Sequence, residues 1–460
     1  MRALGRALSR AAGRVVPDPF AIAILLTFVS LGLAWAFGDR SPLDLVGLWG
    51  GRLDGDALLP SEVGLWRLLT FAMQMCLILV TGHALASSPP MERLIARLAA
   101  LPRSAAQAVA LTALVAMLAA LVNWGLGLIV GALAARSVAV AARGRGLRVH
   151  YPLLGAAGYA GLMVWHGGLS GSAPLTVTQS KDLASLLGRP DVAPIPLQDT
   201  LTSPLNLCVT ALLLIVVPLV LTRMLPRDGR EIIEVDPRSL PGVRSAADAP
   251  DPRAERHVLD DAWWLAAGLA GLAIAYLVLY LRRIGLGRID LNAVNLAFLA
   301  LGLLLHRSPA AYLRAITDAT TGCAGIILQF PLYAGIMGVF VHSGLIDRLA
   351  TSIATVADGS TFAPLTMLSA GAVNLFVPSG GGQWAIQGPL VVQSAERLGV
   401  PLGKAVMAFA YGDEWTNMLQ PFWALPLLAI TGLRARDLIG YTAAVMLLAL
   451  PVYLGCLWAC

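Results

Sequence analysis

A run of small residues, Ser379-Gly380-Gly381-Gly382, separates two apolar segments toward the C-terminus. Pro378 before the run pushes its own predecessor into an extended conformation and so ends the first segment. Gln383 and Trp384 can begin a helix whose free N–H groups and positive dipole end would face the run. Because glycine lets a ligand approach the backbone closely, we expect a carboxylate-binding site at residues 379–384. Glycines that only permit close helix packing are the alternative.

Two adjacent carboxylates, Asp413 and Glu414, lie inside another apolar segment. A carboxylate at the centre of a membrane costs about 2.5–3.5 kcal/mol, which usually indicates a functional reason. One of the two could bind a cation or carry a proton, with Thr416 and Asn417 as nearby oxygen ligands. The alternatives are an ion pair with a basic residue and a position near the interface. We expect the helix to be interrupted at Gly412–Asn417.

A histidine lies beside a further break in an apolar segment, where His166 follows Trp165 and precedes Ser170 and Ser172. Its unperturbed pKa of about 6.5 suits a proton relay, and a histidine satisfied by a backbone carbonyl is equally compatible. The two serines could bind a carboxylate or a cation, or bond back to helix carbonyls.

A second glycine-containing break has Asn123 and Trp124 followed by Gly125 and Gly127. It predicts either a related binding site or close helix packing, and the sequence does not choose between them. The tryptophans beside the breaks could wall a small pocket, although interfacial anchoring is common for this residue. They are Trp124, Trp165, Trp384 and Trp415.

The composition indicates a membrane protein. The chain has 460 residues, 57% hydrophobic and only 13% charged, whereas about a quarter of the residues of a soluble protein are charged. The net charge of +6 arises in short loops between apolar runs, so it does not predict nucleic-acid binding. The chain has no GxSxG, HExxH or Walker A motif, so we expect neither an enzyme nor an ATP-driven pump. No cofactor is expected.

Nine spans and two helical hairpins are predicted to position these residues. The positions of the basic loops predict that the N-terminus lies in the cytoplasm. The chain is expected to be a multi-pass protein of the bacterial cytoplasmic (inner) membrane. Two full crossings would suit the first hairpin equally well. The spans are expected at about residues 20–37, 66–86, 151–179, 203–223, 262–281, 291–306, 320–341, 403–430 and 438–458, and the hairpin tips at about residues 123–127 and 377–382.

The two halves of the chain resemble each other at a nearly fixed spacing. Asn123 and Asn374 are 251 residues apart (374 − 123), and Tyr159 and Tyr411 are 252 apart (411 − 159). Because the first span and its counterpart run in opposite directions, we expect inverted repeats around a midplane site. The predicted fold is an all-α polytopic membrane protein with two inverted repeats, each containing a re-entrant helical hairpin and a broken transmembrane helix. The predicted divisions are residues 1–222 (first repeat), 223–260 (cytoplasmic linker) and 261–460 (extra span and second repeat).

At these motifs the chain resembles the short-chain fatty acid transporter family, from about Val16 to the C-terminus. The resemblance implies import of butyrate- and acetoacetate-like monocarboxylates by bacteria. The residues that carry it are Pro17-Asp18-Pro19, Thr81 to Ser88, Asn123 to Gly127, Gly167 to Ser172, Pro378 to Gly382 with Trp384, Ile386 to Pro389, Ala410 to Gly412 and Gln420 to Pro426.

More distantly, the architecture looks like the ion transporter superfamily. That resemblance implies paired hairpin tips that bind a cation and a carboxylate, and a transport domain that moves against a dimeric scaffold. A homodimer in a lipid bilayer is therefore expected, with a small organic anion as substrate. Asn123 and Asn374 partly match the asparagine-containing tip motifs of sodium–dicarboxylate members.

The expected function is secondary active transport of short-chain monocarboxylates, coupled to H⁺ or Na⁺. Rivals are another anion, such as a dicarboxylate or a longer acyl chain, a membrane-embedded enzyme using His166 and Asp413, and a channel. The expected substrate-binding residues are Ser379, Gly380, Gly381, Gly382, Gln383, Trp384, Trp124, Gly125, Ser170 and Ser172. The expected coupling residues are Asn123, Asn374, Asp413, Glu414, Thr416, Asn417 and His166, with Asn123, Asn374 and Asn417 as candidate Na⁺ ligands.

Overall fold

The computed structural model describes residues 1–54, 57–59, 63–179, 193–237, 240, 258–285, 290–346, 348 and 356–459. Over these residues the chain is helical apart from one short hairpin of strands. The helices are α1 Arg2–Val15, α2 Pro19–Phe37, α3 Pro42–Gly50, α4 Leu69–Ala86, α5 Pro89–Ala100, α6 Ala105–Val122, α7 Trp124–Gly144, α8 Tyr151–Tyr159, α9 Ser172–Thr176, α10 Pro204–Arg223, α11 Trp263–Ile284, α12 Leu291–His306, α13 Pro309–Thr320, α14 Ala324–His342, α15 Phe362–Asn374, α16 Gly380–Leu398, α17 Leu402–Thr416, α18 Pro421–Thr431 and α19 Ala435–Ala459.

Capping residues explain where several helices begin. Ser203 and Ser308 precede prolines at the first helical position, and each hydroxyl accepts a backbone N–H of the first turn. Proline suits that position because it has no N–H to leave unpaired. Ser41 and Asp44 form a reciprocal capping box at the start of α3. These local signals fix helix starts independently of the membrane.

Eight helical segments of the described chain are long and apolar enough to cross a membrane, which confirms a multi-pass helical protein. The predicted sixth span is a shorter apolar helix, Leu291–His306. Both arms of the first hairpin reach spanning length, so its re-entrant geometry stays a prediction. The eight segments are Pro19–Phe37, Leu69–Ala86, Ala105–Val122, Trp124–Gly144, Pro204–Arg223, Trp263–Ile284, Pro309–His342 and Ala435–Ala459.

The third span is broken where the sequence predicted. α8 ends at Tyr159, tight 3₁₀ turns follow as far as Gly167, and α9 begins at Ser172. The backbone N–H of Leu169 donates to Leu121 O at 2.7 Å. The tip of the first hairpin therefore packs against this break.

The eighth span is broken at a different point from the one predicted. The helix α17 continues through Gly412–Thr416, where an interruption was expected, and the break covers residues 417–420. Gly412 packs so closely on α15 that an added Cβ would overlap Met367 O. The glycine permits this close approach within an intact helix. The chain breaks before Pro421, which lacks the N–H that a continuing helix needs.

Equivalent contacts recur in the two halves of the chain. An added Cβ would overlap a backbone oxygen at both Gly161, against Ala116 O, and Gly412, against Met367 O. The two glycines are 251 residues apart (412 − 161), and the two residues whose oxygens they approach are also 251 apart (367 − 116). The recurrence agrees with duplication, whereas the inverted orientation of the halves stays a prediction.

The predicted linker is described only in part, because residues 238–239 and 241–257 lie outside the described residues. Its first part is bound to the helical body. Ile233 O accepts the N–H of Tyr151 at 2.8 Å, and Glu234 pairs with Arg148 at 2.8 Å. The strand hairpin lies between α3 and α4, with β1 Arg52–Asp54 antiparallel to β2 Ala57–Leu59.

Candidate functional site

The second arm of the second hairpin begins at Gly380, three residues before the predicted start at Gln383, so its free N–H groups lie within the glycine run. Ser379 caps α16, and its hydroxyl accepts the N–H of Gly382 at 3.2 Å. The N–H groups of Gly380 and Gly381 lie in the first turn, where a helix offers no acceptor. A small anion could therefore be bound by backbone N–H groups at this tip.

The tip lies directly against the break of the third span. A Cβ added at Gly380 would lie 2.7 Å from His166 Nε2 and 3.1 Å from Trp165 Cη2. At Gly381 the same addition would meet only Ser172, at 3.9 Å, and Gly381 is exposed. The structure thus brings together two segments that the sequence singled out separately. Gly380 provides the close contact, and Gly381 faces open space.

A buried cluster of titratable groups lies behind this contact. His166 Nε2 is 3.1 Å from Asp413 Oδ1, and the backbone N–H of His166 donates to Glu414 Oε2 at 2.9 Å. The Tyr453 hydroxyl is 2.7 Å from Met163 O and 3.2 Å from Glu414 Oε1. No Lys or Arg pairs with either carboxylate within the described residues. The basic residue that contacts Asp413 within the described chain is therefore His166.

Further tyrosine contacts extend the cluster. The Tyr411 hydroxyl donates to Asn206 Oδ1 at 3.1 Å, and Asn206 donates to Gly167 O at 3.0 Å. Tyr453, Tyr411 and Asn206 were not predicted from the sequence as members of the site. The signal that could have identified them is a polar residue within an apolar run, because a polar side chain buried there needs a hydrogen-bond partner.

A second polar cluster surrounds Asn374 at the end of α15. Its amide Nδ2 contacts Asp413 O at 2.6 Å, Thr416 Oγ1 at 3.0 Å and Asn417 Oδ1 at 2.8 Å. An amide group has two hydrogens, so one of these three oxygens is left without a donor from it. The Gln420 amide donates to Asn374 O. The predicted oxygen ligands Asn374, Thr416 and Asn417 therefore lie together, beside Asp413.

Asn123 is not part of that polar cluster. Its side chain caps α7 by accepting the N–H groups of Gly125 at 3.0 Å and Leu126 at 3.2 Å. Ser170 accepts the N–H of Trp124 at 2.9 Å. No hydrogen bond joins Asn123 to Asn374 over the part of the chain that the structure describes. The polar groups at the first tip thus accept the free N–H groups at the start of α7.

The glycines of the first tip serve close packing. A Cβ at Gly125 would lie 2.7 Å from Ile78 Cδ1 and 3.1 Å from Leu291 Cδ2. At Gly127 an added Cβ would fall 2.5 Å from the Cα of Ala120 on the facing arm. Of the two readings left open by the sequence, the structure supports packing for both positions.

The tryptophans divide between different environments. Trp124 and Trp165 lie 6.2 Å apart by ring centroid, and Trp124 lies 4.9 Å from Trp423. Trp384 packs instead on Phe409, and the Trp415 indole N–H donates to Met446 O. Trp124 and Trp165 can therefore wall a common space, whereas Trp384 and Trp415 lie apart from them. Gln383, beside Trp384, donates to Ala370 O and to Gln387 Oε1.

Comparison with known proteins places the whole chain among transporters. A family model described as "Short chain fatty acid transporter" matches residues 1–459. A protein of Escherichia coli (strain K12) named for short-chain fatty acid transport is 41% identical over 448 residues, 96% of each chain. A protein of the same name from Haemophilus influenzae (strain ATCC 51907 / DSM 11121 / KW20 / Rd) is 38% identical over 463 residues, 98% of each chain. The solved Alcanivorax borkumensis YdaH transporter has 18% identity and a TM-score of 0.47 over 96% of this chain and 98% of that chain, a likeness too weak to carry a conclusion.

Proposed function

Because this chain belongs to the short-chain fatty acid transporter family, we propose that it carries short-chain monocarboxylates of the butyrate and acetoacetate type across the bacterial cytoplasmic membrane. Transport would be secondary, driven by an ion gradient. The N-terminus would lie in the cytoplasm, and the protein would act as a homodimer. The observation that carries the proposal is the contact between Gly380 and His166, which joins an anion-binding helix start to a buried His–Asp pair.

The carboxylate would dock at the Ser379–Gly382 tip. The N–H groups of Gly380 and Gly381 can donate to it, and Ser172 lies on the facing segment. Backbone N–H groups at a helix start favour a negative charge through both hydrogen bonds and the helix dipole. The exposed position of Gly381 gives a substrate access to these donors.

A proton is the coupling ion that the titratable cluster supports. Tyr453 has one hydroxyl hydrogen, yet its oxygen lies near both Met163 O and Glu414 Oε1. If Tyr453 donates to Met163, a protonated Glu414 can donate to the tyrosine oxygen, and all three groups are satisfied. His166 would then pass protons between Asp413 and the tip.

Sodium is a second candidate, favoured by the oxygens around Asn374. Carbonyl, hydroxyl and amide oxygens of Asp413, Thr416 and Asn417 converge on one point. Hard cations prefer such oxygen ligands. If the Asn374 side chain turned its oxygen toward them, a Na⁺ ion carried with the substrate could be held there.

Uptake of labelled butyrate into proteoliposomes, under a proton gradient and a sodium gradient imposed separately, tests the proposal. Accumulation above the outside concentration with one gradient supports secondary transport and identifies the ion. Equilibration without accumulation would indicate a channel. Uptake of a dicarboxylate or a longer acyl anion in place of butyrate would change the proposed substrate class.

A further inference from the structure

An apolar groove of about 220 Å³ opens on the side of the first hairpin. Its walls come from both hairpin arms, from α4 and from α5, and Phe298 contributes from α12. Of the described residues that line it, Ser137 alone has a polar side chain. The groove is open to the surroundings, because Leu94 and Leu98 of α5, which line it, are 49% and 43% exposed. Exposed apolar surface of this kind favours an apolar occupant.

The groove has about the length of one half of a bilayer. Its wall on α7 runs from Leu126, in the first turn after the hairpin tip, to Val138, which is 12 residues further on (138 − 126). At 1.5 Å per residue this stretch of helix extends about 18 Å. Half of the hydrocarbon core of a membrane is about 15 Å thick. An acyl chain of a phospholipid, which reaches from the headgroup level to the midplane, therefore matches the groove in length.

The helix α5 places the mouth of the groove at the membrane surface. It connects α4 and α6, two helices of spanning length, and so lies at the surface where α4 ends. The basic residues of this connection predict that the surface is the cytoplasmic one. Arg145, directly after α7, donates to Ala99 O at 3.1 Å and to Ala100 O. These bonds hold the end of α5 against the base of the first hairpin.

Two arginines lie beside the exposed edge of the groove. Arg97 is three residues from Leu94, and Arg93 is four from Arg97, so these residues occupy neighbouring positions on the surface of α5. Both arginines are exposed, and neither forms an ion pair within the described residues. The acidic residue of this helix, Glu92, lies about 100° around the helix from Arg93. The edge of the groove therefore carries a net positive charge.

We propose that this groove binds an anionic phospholipid, with one acyl chain between α5 and the first hairpin and the phosphate at Arg93 and Arg97. A zwitterionic lipid offers the same acyl chain but carries a cation next to its phosphate, so the arginines favour the anionic headgroup. A second copy of the chain, paired symmetrically through the same face, would bring its own arginines against these, which is unfavourable. The bound chain packs against both α5 and the hairpin and so stabilises their contact. Such a site would exist whatever substrate the protein carries.

Lipid binding by the purified full-length protein, followed by native mass spectrometry and thermal unfolding in detergent, tests the assignment. Phosphatidylglycerol should bind and raise the unfolding temperature more than phosphatidylcholine with the same acyl chains. One basic residue near a membrane surface strengthens binding of an anionic lipid about fivefold, so Arg97→Gln should weaken phosphatidylglycerol binding by about that factor. Arg227→Gln, at an exposed arginine that is also predicted to be cytoplasmic, is the matched control. It should bind phosphatidylglycerol as the unmodified protein does.

Filling the groove separates binding there from binding elsewhere on the surface. Ala134→Phe puts a larger side chain into the wall at a partly exposed position of α7, and should remove the extra stabilisation by phosphatidylglycerol. Ala36→Phe, at an exposed position of α2, is the matched control and should keep it. Equal stabilisation of the unmodified protein by both lipids, or by neither, would overturn the assignment. Unchanged phosphatidylglycerol binding in both Arg97→Gln and Ala134→Phe would overturn it as well.

Discussion

Tyr159 and Tyr411 each donate a hydrogen bond from one half of the chain into the other. The Tyr159 hydroxyl lies 2.9 Å from Asn417 O, at the break of the eighth span. The Tyr411 hydroxyl lies 3.1 Å from Asn206 Oδ1, beside the break of the third span. The two tyrosines are 252 residues apart (411 − 159). Each half therefore stabilises the loose backbone of the other, in the region that holds the candidate site.

Replacing Tyr159 by Phe should destabilise the protein. The hydroxyl is within hydrogen-bond distance of two carbonyls, Asn417 O at 2.9 Å and Gln420 O at 3.0 Å. Asn417 O keeps the N–H of Gln420, so the change removes one buried hydrogen bond at a cost of about 0.5–1.5 kcal/mol. Thermal unfolding in detergent measures the change. Tyr312→Phe, which removes an unpartnered hydroxyl, should unfold at the wild-type temperature. Equal unfolding temperatures for both variants would show that the Tyr159 contacts contribute nothing.

Replacing Gly380 by Ala should disturb the contact between the tip and the third span. The new methyl group would lie 2.7 Å from His166 Nε2, and His166 is fixed by bonds to Asp413 and Glu414. Overpacking of this kind costs about 1–3 kcal/mol. Both thermal stability and butyrate uptake should fall. Gly381→Ala, whose nearest neighbour lies 3.9 Å away, should keep wild-type stability; a similar loss in both variants would contradict this contact.

Replacing Asp413 by Asn should uncouple transport from the ion gradient. The amide keeps the shape of the carboxylate but cannot exchange a proton with His166 or add charge near a cation. Uphill accumulation of butyrate should disappear, while exchange of inside for outside butyrate continues. Glu92→Gln, a change at an exposed carboxylate on α5, is the control. Full gradient-driven accumulation by Asp413→Asn would exclude a coupling role.

The attachment of the linker should weaken in acid. His150 Nδ1 accepts the N–H of Ile233 at 3.1 Å, and Nε2 lies 2.9 Å from the Tyr441 hydroxyl. Burial lowers the pKa of His150 from 6.5 to about 4, although the charges of Glu231 and Asp437 oppose the shift. The neutral ring is therefore the form that fits the docked segment.

The lowered pKa of His150 determines whether docking of the linker weakens or strengthens as the pH falls. Between pH 6.5 and about 4 the detached or unfolded chain binds a proton that docked His150 does not, so docking loses stability as the pH falls through this window. Hydrogen exchange at the Ile233 amide, corrected for intrinsic rates, should show less protection at about pH 5 than at about pH 7. His150→Gln, which keeps an acceptor without a titration, should remove the pH dependence. Equal protection at both pH values in the wild type would refute this account.

Apolar runs in the sequence predicted most of the spans. The break at residues 165–172 follows from Gly and Ser placement and is present, whereas the helix after the glycine run begins at Gly380 rather than at the predicted Gln383. The break of the eighth span was misplaced, because Gly412 can either end a helix or allow another helix to approach. Only the position of α15 decides between these roles.

Contacts between distant segments could not be predicted from the sequence. Tyr453 reaches Glu414, and Asn374 reaches Asn417, only once the helices that carry them are packed together. Asn123 and Asn374 occupy matching positions in the two halves, yet one caps its own helix and the other contacts α17. Matching positions in the two halves of the sequence therefore do not predict matching contacts.

Butyrate uptake by Gly381→Val proteoliposomes tests most directly whether the second hairpin tip holds the carboxylate. A Cβ added at this exposed position meets only Ser172, at 3.9 Å, so the variant should fold, and its larger side chain should block the backbone N–H groups from a ligand. Gly271→Val, at a position with no atoms within 4 Å of an added Cβ, is the matched control. The account predicts that Gly381→Val loses uptake while Gly271→Val transports at the wild-type rate. Wild-type uptake by Gly381→Val would contradict binding of the substrate at this tip.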